Sequence, residues 1–354
     1  MNHATYPTVK QGHIIPATYQ RFFATSGSVM VHVPGRSDCV RVKVEDAGTR
    51  SKAYRRLRPD GTEIDDVEAS LSSLECDYRP VLEQITTGNP ITDRMKATLA
   101  QFFGVQMVRG PMFFRLTRAI SEQTVREKVT LETVRPEALA GAGGELGVLH
   151  DRAIGALWDA RFLDMLTRSQ KLSWVLGGMR WQVLRFPAPI VAYCDQPVVV
   201  WPLGVERIGA RPTQPTLGPL NALEIRVPLA PDLLLLMTWE DADDLATPRP
   251  APSSFAADTN SLVIAQADKQ WMHRPGAEPP ISTGTLTPIS RALNPLNGPA
   301  QATLSIRRAT VAKELDRVVD RTWLNTVKII TNMRFSAKPI PSSSVTRRIR
   351  VERP

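Results

Sequence analysis

Apolar positions along this chain change period four times, and the changes divide it into regions. His13 to Ala24 (HIIPATYQRFFA) puts Tyr19, Phe22 and Phe23 on one helical face, with Pro16 suited to the first turn, so a short helix is expected there. Val29 to Val33 and Cys39 to Val44 alternate with period two around the turn residues of PGRSD, which predicts a hairpin. From about residue 62 the period lengthens. Val67, Leu71, Leu74, Tyr78, Val81, Leu82 and Ile85 form the stripe of an amphipathic helix, in which Pro80 removes a donor and predicts a kink or break near Arg79. Thr92 is placed to cap a second helix carrying Met95, Leu99, Phe102, Phe103 and Gln106, interrupted at Gly110-Pro111. Pro136 to Gly147 reads as a loop, and a third long helix is expected from about Val148 to Leu176, closed by Gly177-Gly178.

Period two then returns. Strands are expected at Met179 to Phe186, Ile190 to Cys194, Pro197 to Trp201, Leu223 to Leu229 and Leu233 to Trp239. Asp241 to Pro252 reads as a loop, Phe255 to Trp271 as a helix, and Thr310 as the cap of a last amphipathic helix. Strands, then helices, then strands predict an α+β fold: a mixed or mainly antiparallel sheet, built from the N-terminal hairpin and the strands of about 179–239, packed against three long helices. The expected organisation is one α+β domain over 1–275 with the helical segment 62–176 inserted between strands. A Pro/Gly-rich linker at 276–303 and a C-terminal helix with a basic tail at 304–354 follow.

Composition alters this picture in two places. The formal net charge is +9, and residues 303–354 alone hold twelve Lys/Arg against four Asp/Glu. That concentration suits a solvated tail or a contact with nucleic acid. Cys39, Cys76 and Cys194 lie far apart with no CxxC spacing, so a structural zinc site is not expected and a reducing, cytoplasmic setting fits. The N-terminus lacks an apolar signal segment and no stretch is long enough to span a bilayer, so no membrane partner is expected.

The polar residues that break the apolar pattern are the candidates for chemistry. Glu68 and Glu75 are seven residues apart, nearly two helical turns, so both carboxylates lie along one line at the edge of the apolar stripe. Such a pair suits Mg²⁺ or Mn²⁺ binding, acid/base work, or simple pairing with nearby arginines. His13 opens the first helix and offers a base, a ligand or a packing group. Asp195, between two apolar strands and two residues before Pro197, is either a turn-former or a group aimed out of the sheet edge. Arg109, on an inner helix face, needs a carboxylate partner, for which Glu68, Glu75 and Asp195 are candidates. Phosphate loops, HExxH and GxSxG are absent.

Taken together these residues resemble a bacterial family, domain of unknown function 4238. The resemblance rests on His13, Pro16, Tyr19 and Phe22 or Phe23; on Glu68, Leu71, Leu74 and Glu75; on Arg109-Gly110-Pro111; on Trp181 and Cys194-Asp195-Gln196-Pro197; on Pro228-Leu229-Ala230-Pro231; and on Asn260. It spans about Gly12 to Trp271, with Cys194 standing where the family usually has serine. It implies that His13, Glu68, Glu75, Arg109 and Asp195 belong together, and it carries no activity. Three classes therefore stay open. The first is a metal-dependent phosphodiester hydrolase of nuclease type, defence-related, with Glu68, Glu75 and Asp195 holding Mg²⁺ or Mn²⁺, His13 as base or ligand and Arg109 on phosphate. The second is a non-catalytic ligand- or nucleic-acid-binding regulatory module. The third is a structural or interaction protein in which the same residues form a buried ion-pair network.

Overall fold

The structure is a computed structural model that describes residues 11–51, 54, 56–57, 63–64, 66–201, 219, 222, 224–239, 245–283 and 286. The expected helix from Thr310, the basic tail and most of the expected linker lie outside the described residues. In chain order the elements are β1 (Gln11–His13), α1 (Ala17–Gln20), β2 (Ser28–His32), β3 (Cys39–Lys43), β4 (Thr49–Ser51), β5 (Arg56–Leu57) and β6 (Glu63–Ile64). Next come α2 (Asp66–Thr86), α3 (Asp93–Val108), α4 (Pro111–Lys128), α5 (Pro136–Gly141) and α6 (Leu146–Gly178). The chain continues with β7 (Arg180–Arg185), β8 (Tyr193–Cys194), β9 (Val199–Trp201), β10 (Glu224–Ala230), β11 (Leu233–Thr238), β12 (Leu245–Pro250), α7 (Ser253–Gln266) and β13 (Trp271–His273).

The fold is α+β. The expected single sheet is instead two main sheets. One has the order β12-β7-β11-β10-β9 and is antiparallel except at β12–β7; the other has the order β3-β2-β13-β8 and is antiparallel. The hairpin β2–β3 forms, but β13 and β8 join it in a sheet separate from the five-stranded one. Two further pairs, β1–β4 and β5–β6, are short. The first expected helix shrinks to α1, because Gln11–His13 pairs with Thr49–Ser51. Helix α2 runs through Pro80 without ending there.

Helix α3 is buried on almost every side, as expected of a helix in the middle of a core. Its cap is as the sequence predicts: Thr92 Oγ1 accepts from Met95 N at 3.3 Å. Against it lies α6, and at Gly104 the two helices approach so closely that an added Cβ would stand 2.5 Å from Ser173 Oγ and 2.7 Å from Ser169 O. On the other side, Tyr78 of α2 stacks on Phe102 at 3.7 Å between ring centroids. The main core joins these helices to α1 and to one face of the five-stranded sheet through Tyr19, Phe23, Trp181, Val227 and Leu235.

Candidate functional site

Arg109 is the centre of the largest polar cluster that the sequence pointed to. It follows α3, is 1 % exposed, and directs its guanidinium toward three chain segments. Nε donates to Tyr54 Oη at 3.0 Å, Nη1 to Glu75 Oε1 at 3.1 Å, and Nη2 to the main-chain carbonyl of His13. Tyr54 Oη in turn donates to the same His13 carbonyl at 3.2 Å, and Thr18 Oγ1 donates to the second Glu75 oxygen at 3.4 Å. One planar fork therefore ties together β1, α2, α3 and the turn at Tyr54.

Electrostatics follow from this packing. Burial alone would lower the Arg109 pKa, but the charges of Tyr54, Glu75 and Glu68 and the hydrogen bond to Tyr54 outweigh it and hold the guanidinium above its usual range. Burial pushes the Tyr54 phenol up to about 12, against the lowering influence of Arg109. The Glu68 charge also acts on both Tyr54 and Arg109. Glu75 keeps an edge toward water, with 15 % of its side chain exposed.

The structure thus brings together Glu68, Glu75, Arg109 and the backbone of His13. The His13 imidazole contributes differently: its Nε2 lies 3.4 Å from the Val44 carbonyl oxygen. Asp195 does not join them as a ligand. Its Oδ1 accepts from Asp268 N at 2.9 Å, and its Oδ2 accepts from Lys269 N at 2.6 Å and Gln270 N at 3.3 Å. Both oxygens therefore organise the loop between α7 and β13, which is the turn-forming role in a long-range version. The printed contacts of Asp195 are thus with this loop, and those of Glu75 with Arg109 and Thr18. Among the described residues no group of three or more His, Cys, Asp or Glu side chains is arranged to hold a metal ion.

Asp195 nevertheless lies close to the Arg109 segment. A Cβ on Gly110 would meet Gln196 Cγ at 3.3 Å, and Arg115 of α4 pairs with Asp268 in the loop that Asp195 holds. Burial, more than the backbone donors can offset, raises the Asp195 pKa above the usual carboxylate range. The neighbouring Cys194 thiol is buried and pushed upward in pKa by that burial and by the Asp195 charge, so it is not a poised nucleophile.

The remaining motif residues behave alike. Tyr19 Oη donates to the Pro228 carbonyl at 2.5 Å. Trp181 Nε1 donates to Leu176 O at 2.8 Å. Asn260 of α7 accepts from Ala192 N at 2.8 Å and donates to Ile190 O and Pro280 O at 2.8 and 2.9 Å. Tyr54 was missed in the sequence because it stands alone in a polar stretch with no periodic neighbours; its only signal would have been a buried aromatic near a buried arginine.

Residues 11–277 match the family described as "Protein of unknown function (DUF4238)". The chain belongs to that family. No curated protein and no solved structure matches it. No helix among the described residues is long and apolar enough to cross a membrane.

Proposed function

We propose that this chain is a non-catalytic interaction protein whose motif residues build the scaffold and whose Arg109 cluster is a structural ion-pair network. One observation carries this reading. The polar motif groups Tyr19, Arg109, Asp195 and Asn260 each hydrogen-bond a main-chain group from a distant segment, so their hydrogen-bonding capacity serves the fold. The partner that the charge distribution favours is a polyanion such as nucleic acid, since residues 303–354 carry twelve Lys/Arg and four Asp/Glu.

The competing reading, a metal-dependent phosphodiester hydrolase, needs carboxylates presented jointly to an ion. Asp195 is committed to three backbone donors and Glu75 to Arg109, which weighs against it. The two readings part in one experiment. The full chain is assayed with Mg²⁺ or Mn²⁺ on single- and double-stranded DNA and RNA, alongside Glu68→Gln and Glu75→Gln. The expected result is no turnover, nucleic-acid retention that weakens steeply with salt, and loss of thermal stability in Glu75→Gln. Metal-dependent cleavage by the parent, abolished in either variant at an unchanged melting temperature, overturns the proposal.

A further inference from the structure

Away from the Arg109 cluster, on the four-stranded sheet, two histidines face each other. His32 ends β2 and His273 ends β13; in the register of these strands His32 pairs with Trp271, which places His273 one diagonal step away on the same face. Their Nε2 atoms are 3.0 Å apart and their ring centroids 5.1 Å. Neither ring is loose. His273 is buried, and its Nδ1 lies 2.9 Å from the Arg274 carbonyl oxygen, an acceptor that requires a proton on Nδ1 and so leaves Nε2 as the lone pair. His32 stacks on Trp271 with 3.7 Å between centroids and 7° between planes.

We propose that His32 and His273 form a binding site for a divalent transition-metal ion of the zinc class, held through the two Nε2 atoms. Two imidazoles sharing an ion with metal–nitrogen distances of about 2.05 Å place their nitrogens roughly 2.9 Å apart at a right angle and roughly 3.4 Å apart in a tetrahedron. The observed separation of 3.0 Å falls inside that interval. A ligand histidine usually donates its other ring N–H to a carbonyl or carboxylate, which is the arrangement of His273 with Arg274. In the metal-free pair, His32 Nε2–H donates to His273 Nε2. On binding, that proton moves to His32 Nδ1, so the neutral pair gains the ion with no net loss of protons.

The surroundings suit a cation. Burial first, and then the neighbouring His273, lower the His32 pKa; the Glu278 carboxylate is an acidic group whose charge acts on His32 in the opposite direction. Cys39 pairs with His32 in the β2–β3 register and is exposed on the same face. Neither completes a three-ligand cluster among the described residues, so water or an exogenous donor fills the other positions. The nearby basic residues are Arg274, whose Nε donates to Thr25 Oγ1 at 3.2 Å, and Arg41, whose Nη2 donates to Thr25 O at 3.2 Å, so both are engaged with Thr25.

The test uses the full chain, stripped with chelator and titrated with Zn²⁺ by calorimetry, with Co²⁺ absorption as a second probe. One ion per chain is expected, with a rise in melting temperature of roughly 2 °C or more at saturation. Affinity should fall at least about tenfold when pH is lowered past the imidazole range, because protons compete for both nitrogens. His32→Gln and His273→Gln should each lose at least about tenfold in affinity, since one ligand is removed. Glu75→Gln should bind as the parent does, which separates this site from the Arg109 network. Should either histidine variant fail to fold, ring-nitrogen NMR of the parent decides: Zn²⁺ must shift the His32 and His273 Nε2 resonances. Absence of binding, binding unchanged in both variants, or unshifted resonances would leave a hydrogen-bonded pair only and overturn the proposal.

Discussion

Two arginines are buried among the described residues, and each has a glutamate. Arg226 and Glu224 sit two residues apart on β10, both 0 % exposed; Nε reaches Glu224 Oε1 at 2.7 Å, Nη1 reaches Thr259 Oγ1 of α7 at 3.2 Å, and the guanidinium lies 4.8 Å from the centre of the Trp201 ring. Arg109 and Glu75 come from different helices, and Glu75 touches water. The first pair is local and sealed: the strand itself brings the charges together, and α7 covers them. The second is long-range and open at one edge, so it forms only when β1, α2 and α3 have already met. The same ion-pair chemistry therefore does different work. In the sheet it makes a polar strand face compatible with burial, whereas at Arg109 it fixes how separate elements sit against one another.

The largest expected effect separates the two pairs directly. Glu224→Ala leaves Arg226 charged with no route to water and should cost about 3–5 kcal/mol in urea unfolding. Glu75→Ala should cost less, about 2–3 kcal/mol, because water can reach the vacated edge while the Tyr54 and His13 bonds hold Arg109. Equal losses in the two variants would remove the distinction between sealed and open.

Tyr54→Phe is smaller still. It leaves Arg109 Nε without its acceptor and should cost about 1–2 kcal/mol at neutral pH. It should also change the alkaline limb. The Tyr54 phenol titrates at about 12 in the folded chain against about 10 unfolded, so the folded state holds the extra proton between those values. Its contribution is fully present below the lower value and is lost as pH rises through the upper one. Stability of the parent should thus fall faster in this window than that of Tyr54→Phe, measured by unfolding at a series of alkaline pH values; parallel curves would contradict it.

The smallest effect is that of salt. Raising NaCl to about 1 M should reduce the Glu75–Arg109 coupling by a few tenths of a kcal/mol and leave the Glu224–Arg226 coupling unchanged, as read from double-mutant cycles. Equal screening of both would show that Glu75 is not the open member.

The sequence revealed these regions unequally. The stripe of α2, the Thr92 cap, the limits of α6 and the strands β7, β10 and β11 follow from period and capping chemistry, which act within a few residues. Strand β10 alternates like a half-buried strand, yet all seven of its residues are buried, because α7 covers the polar face. The expected helix to Trp271 ended at Gln266, and three-residue β13 was invisible: it exists because β2 and β8 offer edges and Asp195 holds the loop before it. At the candidate site, the need of Arg109 for a carboxylate was legible from burial cost alone. The choice of Glu75 over Asp195, the carbonyl role of His13 and the presence of Tyr54 were not, since each depends on how segments dozens of residues apart come to rest.

The close approach at Gly104 has its own consequence. Hydrogen is the only substituent that this position accepts without moving α3 or α6, so the separation of the two helices is set by an atom that is missing. Even the shortest carbon branch there would act as a wedge on the backbone carbonyl of Ser169, levering α6 outward along its length and tilting the layer that carries Arg109.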